Sequence, residues 1–177
     1  MRYLAILLII LFLGCIGQQP ETPNEGITPL EGFFVMDSGT VPDIDITEWT
    51  LEVTGLVETP LVLTYEQLLQ YPSVTQVTRL YCAPGFEGTG EWTGVPLKFI
   101  LEEAGYSKDA DSVVCYAADD FYSKISLEKA LQEDTILAYR MNGVTLPKEH
   151  GYPLRLVVPG EFGNRWVKWI VRIEVKD

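Results

Sequence analysis

The sequence predicts an α+β fold, a mixed β-sheet with a few short helices. Three observations carry this reading. Runs that alternate apolar and polar residues outnumber helical stripes, strands and helices do not alternate as a parallel α/β sheet requires, and no internal repeat is visible. Of the 177 residues 47% are hydrophobic and 11% aromatic. That is ample for one core in a domain of roughly 150 residues.

The elements follow in order. Trp49, Leu51 and Val53 alternate with polar residues, so 49–57 reads as a strand. Thr64 offers an N-cap with Gln67 three residues on, and Tyr65, Leu68 and Leu69 form a helical stripe behind it. Strand character returns from Val74 to Cys82, and Gly85, Gly88, Gly90 and Gly94 then read as a glycine-rich loop. A helix over Leu97–Ala104 stops at Gly105. Further strands are expected at 112–117, 135–140, 154–158 and 166–175, with a short helix near Leu127–Gln132. In the last strand Val167, Trp169, Val171, Ile173 and Val175 share the more apolar face, which points Lys168 away from it.

The amino terminus carries a targeting pattern. Arg2 precedes an apolar run, Leu4 to Leu13, that spans only about 15 Å as a helix against a hydrocarbon core of roughly 30 Å. It reads as the apolar region of a signal peptide over residues 1–15. Gly14-Cys15 at its end resembles a lipobox, with Cys15 the lipidated residue; Phe12 and Leu13 depart from that pattern, and an ordinary signal sequence or uncleaved anchor is the alternative. Residues 16–30, rich in Pro, Gly and polar groups over 18–30, read as a linker that holds a domain at 31–177 clear of the lipid. The expected location is the outer face of the cytoplasmic membrane.

The formal charge of −12 argues against nucleic acid, whose phosphates need a basic face. The distribution says more than the sum. After Arg2 no Lys or Arg occurs until Arg79, so any anion must be held by the second half. Cys82 and Cys115 could pair in an exported protein, but Cys115 sits in an apolar run, SVVCYA, and reads as buried.

The chain lacks the common chemical signatures. There is one histidine, His150, and no Cys-x-x-Cys pair, which leaves a closed zinc site poorly supplied. No Walker loop, dinucleotide fingerprint or Gly-x-Ser-x-Gly elbow appears.

Three phrases nevertheless resemble the sulfite oxidase family of molybdenum enzymes and its small prokaryotic relatives. They are HGYPLRLVVPGEFGNRWVKWIVRIEV at 150–175, LAYRMNGVTLPKEHG at 137–151 and RLYCAPGFEGTGEWTGVPLKFIL at 79–101; residues 33–68 follow the family's first strands. The resemblance covers nearly everything from Phe33 onward. It implies the family's molybdopterin-domain fold, with a barrel-like mixed-sheet core, and a Mo-molybdopterin cofactor. In the family the metal takes two sulfurs from the pterin dithiolene and one from a protein cysteine, and a soft thiolate suits such a site. Cys82 stands where that catalytic ligand falls. By the same resemblance His150, Arg155 and the segment Trp166, Val167, Lys168 contact the cofactor. A further contact falls at Asp119, with Asp120 or Ala118 as alternatives, and Asn164 and Arg165 lie where they could add donors. Arg155 would give a bidentate pair and Lys168 a point charge.

The departures from the pattern matter as well. Met36-Asp37-Ser38 stands where animal and plant sulfite oxidases have Arg-Asn-His, which disfavours an anionic substrate. The chain ends at Asp177, before the region where larger members carry a catalytic tyrosine and a dimerisation domain. No haem motif appears, so a separate electron-transfer partner is implied. The expectation is an exported, membrane-anchored oxidoreductase that transfers an oxo group to or from a small substrate other than sulfite. Its rivals are a cofactor-free binding module on the same fold and a Cys82/His150 thiol enzyme.

Overall fold

A computed structural model describes residues 26–36 and 39–177. The expected signal peptide with Cys15, and Asp37 and Ser38, lie outside the described residues. The strands are β1 (Thr50–Gly55), β2 (Leu61–Thr64), β3 (Val74–Ala83), β4 (Phe86–Pro96), β5 (Ser112–Ala117), β6 (Tyr122–Ser126), β7 (Ile136–Met141), β8 (Val144–Thr145), β9 (Arg155–Val157) and β10 (Ile170–Lys176). The helices are α1 (Tyr65–Leu68), α2 (Leu97–Ala104) and α3 (Leu127–Ala130).

These strands form two sheets. One has the order β2-β1-β10-β5-β6; the other runs β3-β4-β7-β8, with β9 also paired to β7. Among the described strands β1 and β10 are the one parallel pair and make the first sheet mixed, while the strands of the second pair antiparallel. The α+β reading holds, with the core shared between two sheets.

Local chemistry explains the elements the pattern predicts. Leu51 and Val53 of β1 are buried while Glu52 between them is exposed. Helix α1 opens on a capping box: Gln67 N–H donates to Thr64 Oγ1 (3.3 Å) and Thr64 N–H to Gln67 Oε1 (2.9 Å). Helix α2 buries Leu97, Ile100, Leu101 and Ala104 along one stripe and ends on Gly105 in the left-handed region, φ 67°.

Three expectations are corrected. The glycine-rich stretch is not a loop. Gly88, Gly90 and Gly94 lie within β4, in a long hairpin with β3, and only Gly85 sits in its turn. The glycines make room for neighbours: a Cβ would stand 2.8 Å from the Phe33 ring at Gly88, 2.9 Å from the Trp92 indole at Gly90, and 2.3 Å from the Leu137 carbonyl oxygen at Gly94. The final strand begins at Ile170 instead of 166. Trp169 takes φ 52°, and the β10–β5 register shifts between Ile170 and Arg172, which ends the alternation expected upstream. The domain also takes in the end of the expected linker, for Thr28 N–H donates to the Thr89 carbonyl (2.8 Å) and Asn142 Nδ2 to the Thr28 carbonyl (2.9 Å).

The segment between β9 and β10 joins the sheets. Leu156 N–H donates to the Val167 carbonyl (2.8 Å), Ile170 N–H to the Leu154 carbonyl (3.0 Å), and Trp49 Nε1 to the Ile170 carbonyl (3.1 Å). This seam holds most of the cationic residues singled out above.

Gly94 gives a direct test of the β4–β7 contact. Gly94→Ala places a methyl against backbone that cannot turn away, so it should cost about 3 kcal/mol or more. Gly32→Ala meets nothing within 4 Å and should leave the thermal midpoint nearly unchanged. Comparable midpoints for the two variants would contradict this packing.

Candidate active site

A cavity of about 540 Å³ opens at the seam, a size ordinary for a cofactor site. Its wall includes Cys82, Asp119, His150, Arg155, Trp166 and Lys168. Five segments distant in sequence meet there: residues 34–36, the end of β3, the β5–β6 turn, the 3₁₀ turn Lys148–His150 leading into β9, and the segment from the 3₁₀ turn Gly163–Arg165 to Trp169. Val167 is 1% exposed and does not reach the wall; its backbone serves the seam instead.

Arg155 is the chemical centre of this wall. It is 5% exposed, and its guanidinium carbon lies 5.3 Å from the Trp92 ring centre and 5.9 Å from that of Trp166. Nη1 donates to the His150 carbonyl at 3.0 Å, while the buried Nε has no partner. No carboxylate pairs with it among the described residues. Burial pulls its pKa down to about 10, opposed by the nearby Cys82. It stays cationic at neutral pH.

His150 stands edge-on to Phe33, ring centres 5.5 Å apart. Burial first, then the charge of Arg155, lowers its pKa to about 4. The imidazole is therefore neutral at pH 7, able to donate or accept without adding charge.

Lys168 reaches the cavity because the chain is not yet a strand at that point. Its ammonium donates to the Glu149 carbonyl (3.0 Å) and lies 4.1 Å from the Trp169 ring centre. Trp169 is itself fixed by Nε1 donating to the Lys148 carbonyl (2.7 Å).

The β5–β6 turn supplies Asp119, Asp120 and Phe121. Asp120 has φ 66°, and Asp119 Oδ1 accepts from Phe121 N–H at 3.1 Å. Asp119 and Asp120 both line the cavity, so both remain open for this contact, and Ala118 does not line it. Asn164 also lines the cavity, whereas Arg165 turns away to the Lys124 carbonyl (2.5 Å) and Ser123 Oγ (3.3 Å).

The two described cysteines differ sharply. Both are free thiols, but Cys82 opens on the cavity while Cys115 is fully buried in β5, where burial pushes its pKa up to about 12. Sequence reasoning missed Phe34, Val35, Leu80, Phe121, Gly163 and Trp169 as wall residues. The Asn142-Gly143 pair between β7 and β8 was a readable hairpin signal, with φ 48° and 76°.

This donor set suits a metal that brings most of its own ligands. Among the described residues no group of three His, Cys, Asp or Glu side chains is placed to hold a metal ion by itself. One thiol, a cation with an unpartnered buried nitrogen, a neutral imidazole and carboxylates able to accept from amino groups do converge. A pterin offering sulfur-bound metal, phosphate and amino groups fits them.

Comparison with known proteins agrees. The family described as oxidoreductase molybdopterin binding domain matches residues 38–177, and the chain belongs to that family. Its class is that of an oxidoreductase molybdopterin-binding domain. Among its relatives is an uncharacterized oxidoreductase of Bacillus subtilis (strain 168), YuiH, 34% identical over 154 residues that cover 86% of this chain and 77% of that protein. An NADH nitrate reductase of Brassica napus is 38% identical over 190 residues, covering 88% of this chain but 21% of the enzyme. The chain thus spans about a fifth of the length of the plant nitrate reductases it matches. The solved structure of the sulfane dehydrogenase SoxCD from Paracoccus pantotrophus superposes with a TM-score of 0.81 at 34% identity, over 86% of this chain and 44% of that one.

The sole histidine permits a clean pH test. With a folded pKa of about 4 against 6.5 when unfolded, the unfolded state binds more protons between those values. Stability of the cofactor-free protein should therefore fall as pH drops from about 6.5 to about 4, by on the order of 2–3 kcal/mol. His150→Gln should lack that part of the slope. A histidine NMR resonance titrating near 6.5 would contradict the buried placement.

Proposed function

We propose that the chain is an exported, lipid-anchored molybdenum oxidoreductase that transfers an oxo group to or from a small substrate, and that this substrate is not an oxyanion such as sulfite. The observation that carries the second part is the cavity wall. Asp119, Asp120 and Glu149 outnumber Arg155 and Lys168 there, and Phe34, Val35, Met36 and Phe121 add an apolar surface. A doubly charged anion meets net repulsion in such a site. A neutral or cationic substrate with an apolar body does not.

When bound, the cofactor supplies two-electron oxo-transfer chemistry at molybdenum. The protein's part is to hold and orient it. Cys82 would give the thiolate ligand. Arg155 would meet the most negative part of the cofactor with charge held in a dry wall, and Lys168 would add a second cation. Neutral His150 and the Trp166–Lys168 segment would orient the pterin, with Asp119 accepting from its amino groups. The sequence shows no haem, flavin or iron–sulfur motif, so electrons would pass through a separate partner. Export and anchoring rest on Leu4–Leu13 followed by Gly14-Cys15. Cys15→Ala should shift the protein from membrane to soluble fraction, and continued membrane retention would count against lipidation.

The central test is expression in a host that makes the cofactor. The purified protein should contain molybdenum, and X-ray absorption should show one more sulfur neighbour in the wild type than in Cys82→Ser. The loaded protein should oxidise sulfite poorly. Equal sulfur counts would sink the ligand assignment, absence of molybdenum would favour a cofactor-free binding module, and efficient sulfite turnover would overturn the substrate reading.

A further inference from the structure

Cys82 does not hold its position through its own strand alone. Past β9 the chain returns to the end of β3, where Tyr81 and Phe162 form an isolated parallel bridge with ring centres 5.4 Å apart. The next residue is Gly163, at the start of a 3₁₀ turn and on the cavity wall. A Cβ at this position would stand 2.5 Å from Cys82 Sγ, 3.2 Å from Cys82 Cβ and 3.3 Å from Leu80 Cδ1.

The backbone does not demand glycine there, for Gly163 is absent from the residues of positive φ. What excludes a side chain is the thiol. The two longer contacts are tight but tolerable, whereas 2.5 Å to sulfur is not. The atom free to yield is Sγ, which turns about one bond; leaving its staggered well for the next displaces it by roughly 3 Å. Metal–ligand distances must hold within about 0.2 Å, so such a displacement removes the sulfur from any bond made in the present geometry.

We propose that Gly163 is a positioning residue for Cys82: the missing side chain at 163 is the space that fixes the thiol's direction into the cavity. The proposal rests on the reading of Cys82 as the molybdenum ligand. The glycines of β4 pack against Phe33, Trp92 and β7 and do not line the cavity.

The test uses the full chain carrying Gly163→Ala, with Gly32→Ala as the control that meets open space. In cofactor-loaded protein the sulfur count by X-ray absorption should drop to that of Cys82→Ser. In cofactor-free protein the rate of iodoacetamide alkylation at Cys82, mapped by peptide mass, should shift roughly fivefold or more, while Cys115 stays unlabelled. An alkylation rate and sulfur count matching wild type would overturn the proposal. If Cys82→Ser itself leaves the sulfur count unchanged, the ligand reading fails; the alkylation rate then decides for or against positioning by itself. Should Gly163→Ala not fold, the double variant Cys82→Ala/Gly163→Ala removes the sulfur. Recovery of folding supports the clash with the thiol, and persistent failure means the glycine serves packing against Leu80 and overturns the proposal.

Discussion

A buried guanidinium with no carboxylate partner among the described residues is the constraint around which this domain is arranged. Removing a charge from water costs several kcal/mol unless other groups compensate. For Arg155 the compensation comes from the faces of Trp92 and Trp166, the His150 carbonyl and the nearby Cys82. Each of these is held in turn by something local. Trp92 lies over Gly90, Trp166 Nε1 donates to the Glu161 carbonyl (3.2 Å), and the His150 carbonyl ends a 3₁₀ turn. The unpartnered Nε is the unfinished part of this arrangement. A buried donor left unpaired is costly, so a site that keeps one is suited to a negatively charged guest.

The location of that charge follows from topology. β9 belongs to one sheet and β10 to the other, and the residues between them must cross. A crossing segment cannot satisfy its backbone by a regular ladder. It does so by separate bonds to Leu154, Leu156 and Gly151. The irregularity has a use. It frees Trp166, Lys168 and Trp169 from strict alternation, and two buried indoles and a cavity-facing ammonium come from four consecutive residues.

Much of this was legible in the sequence, for reasons that differ by element. β1 and α2 were readable because one face of each is apolar, and β5 because its apolar run is nearly continuous. The Thr64 capping box was readable because both its bonds lie within four residues. β4 was not, since a strand whose glycines receive neighbouring rings and backbone carries little apolar alternation of its own. Nor was the start of β10, where the pattern Val167-Trp169-Val171 satisfied the strand period although the positive φ of Trp169 breaks it. Among the candidate site residues, those placed by resemblance fall on one cavity apart from Val167, the alternative Ala118 and the added donor Arg165. Met36 was placed by the resemblance, whereas Phe34 and Val35 were not legible, because no local period connects that segment to Cys82.

The wall has two origins, and they bear on different properties. Residues from the second half of the chain, His150 to Lys168, carry the cations and the fixed hydrogen bonds, where precision of placement matters to a rigid cofactor. Residues 34–36 and the β5–β6 turn add exposed apolar groups, with Val35 43% and Phe121 46% accessible, and the free carboxylate of Asp120. Loops and extended segments tolerate substitution better than a seam bound on both sides, so specificity can change there without loosening the cofactor. Every Lys and Arg except Arg2 lies from Arg79 onward, so the cations of the wall, Arg155 and Lys168, come from the second half although that half is itself net acidic. On the proposed reading the side of the wall from His150 to Lys168 would hold the cofactor, and the remaining wall would select what is brought to it.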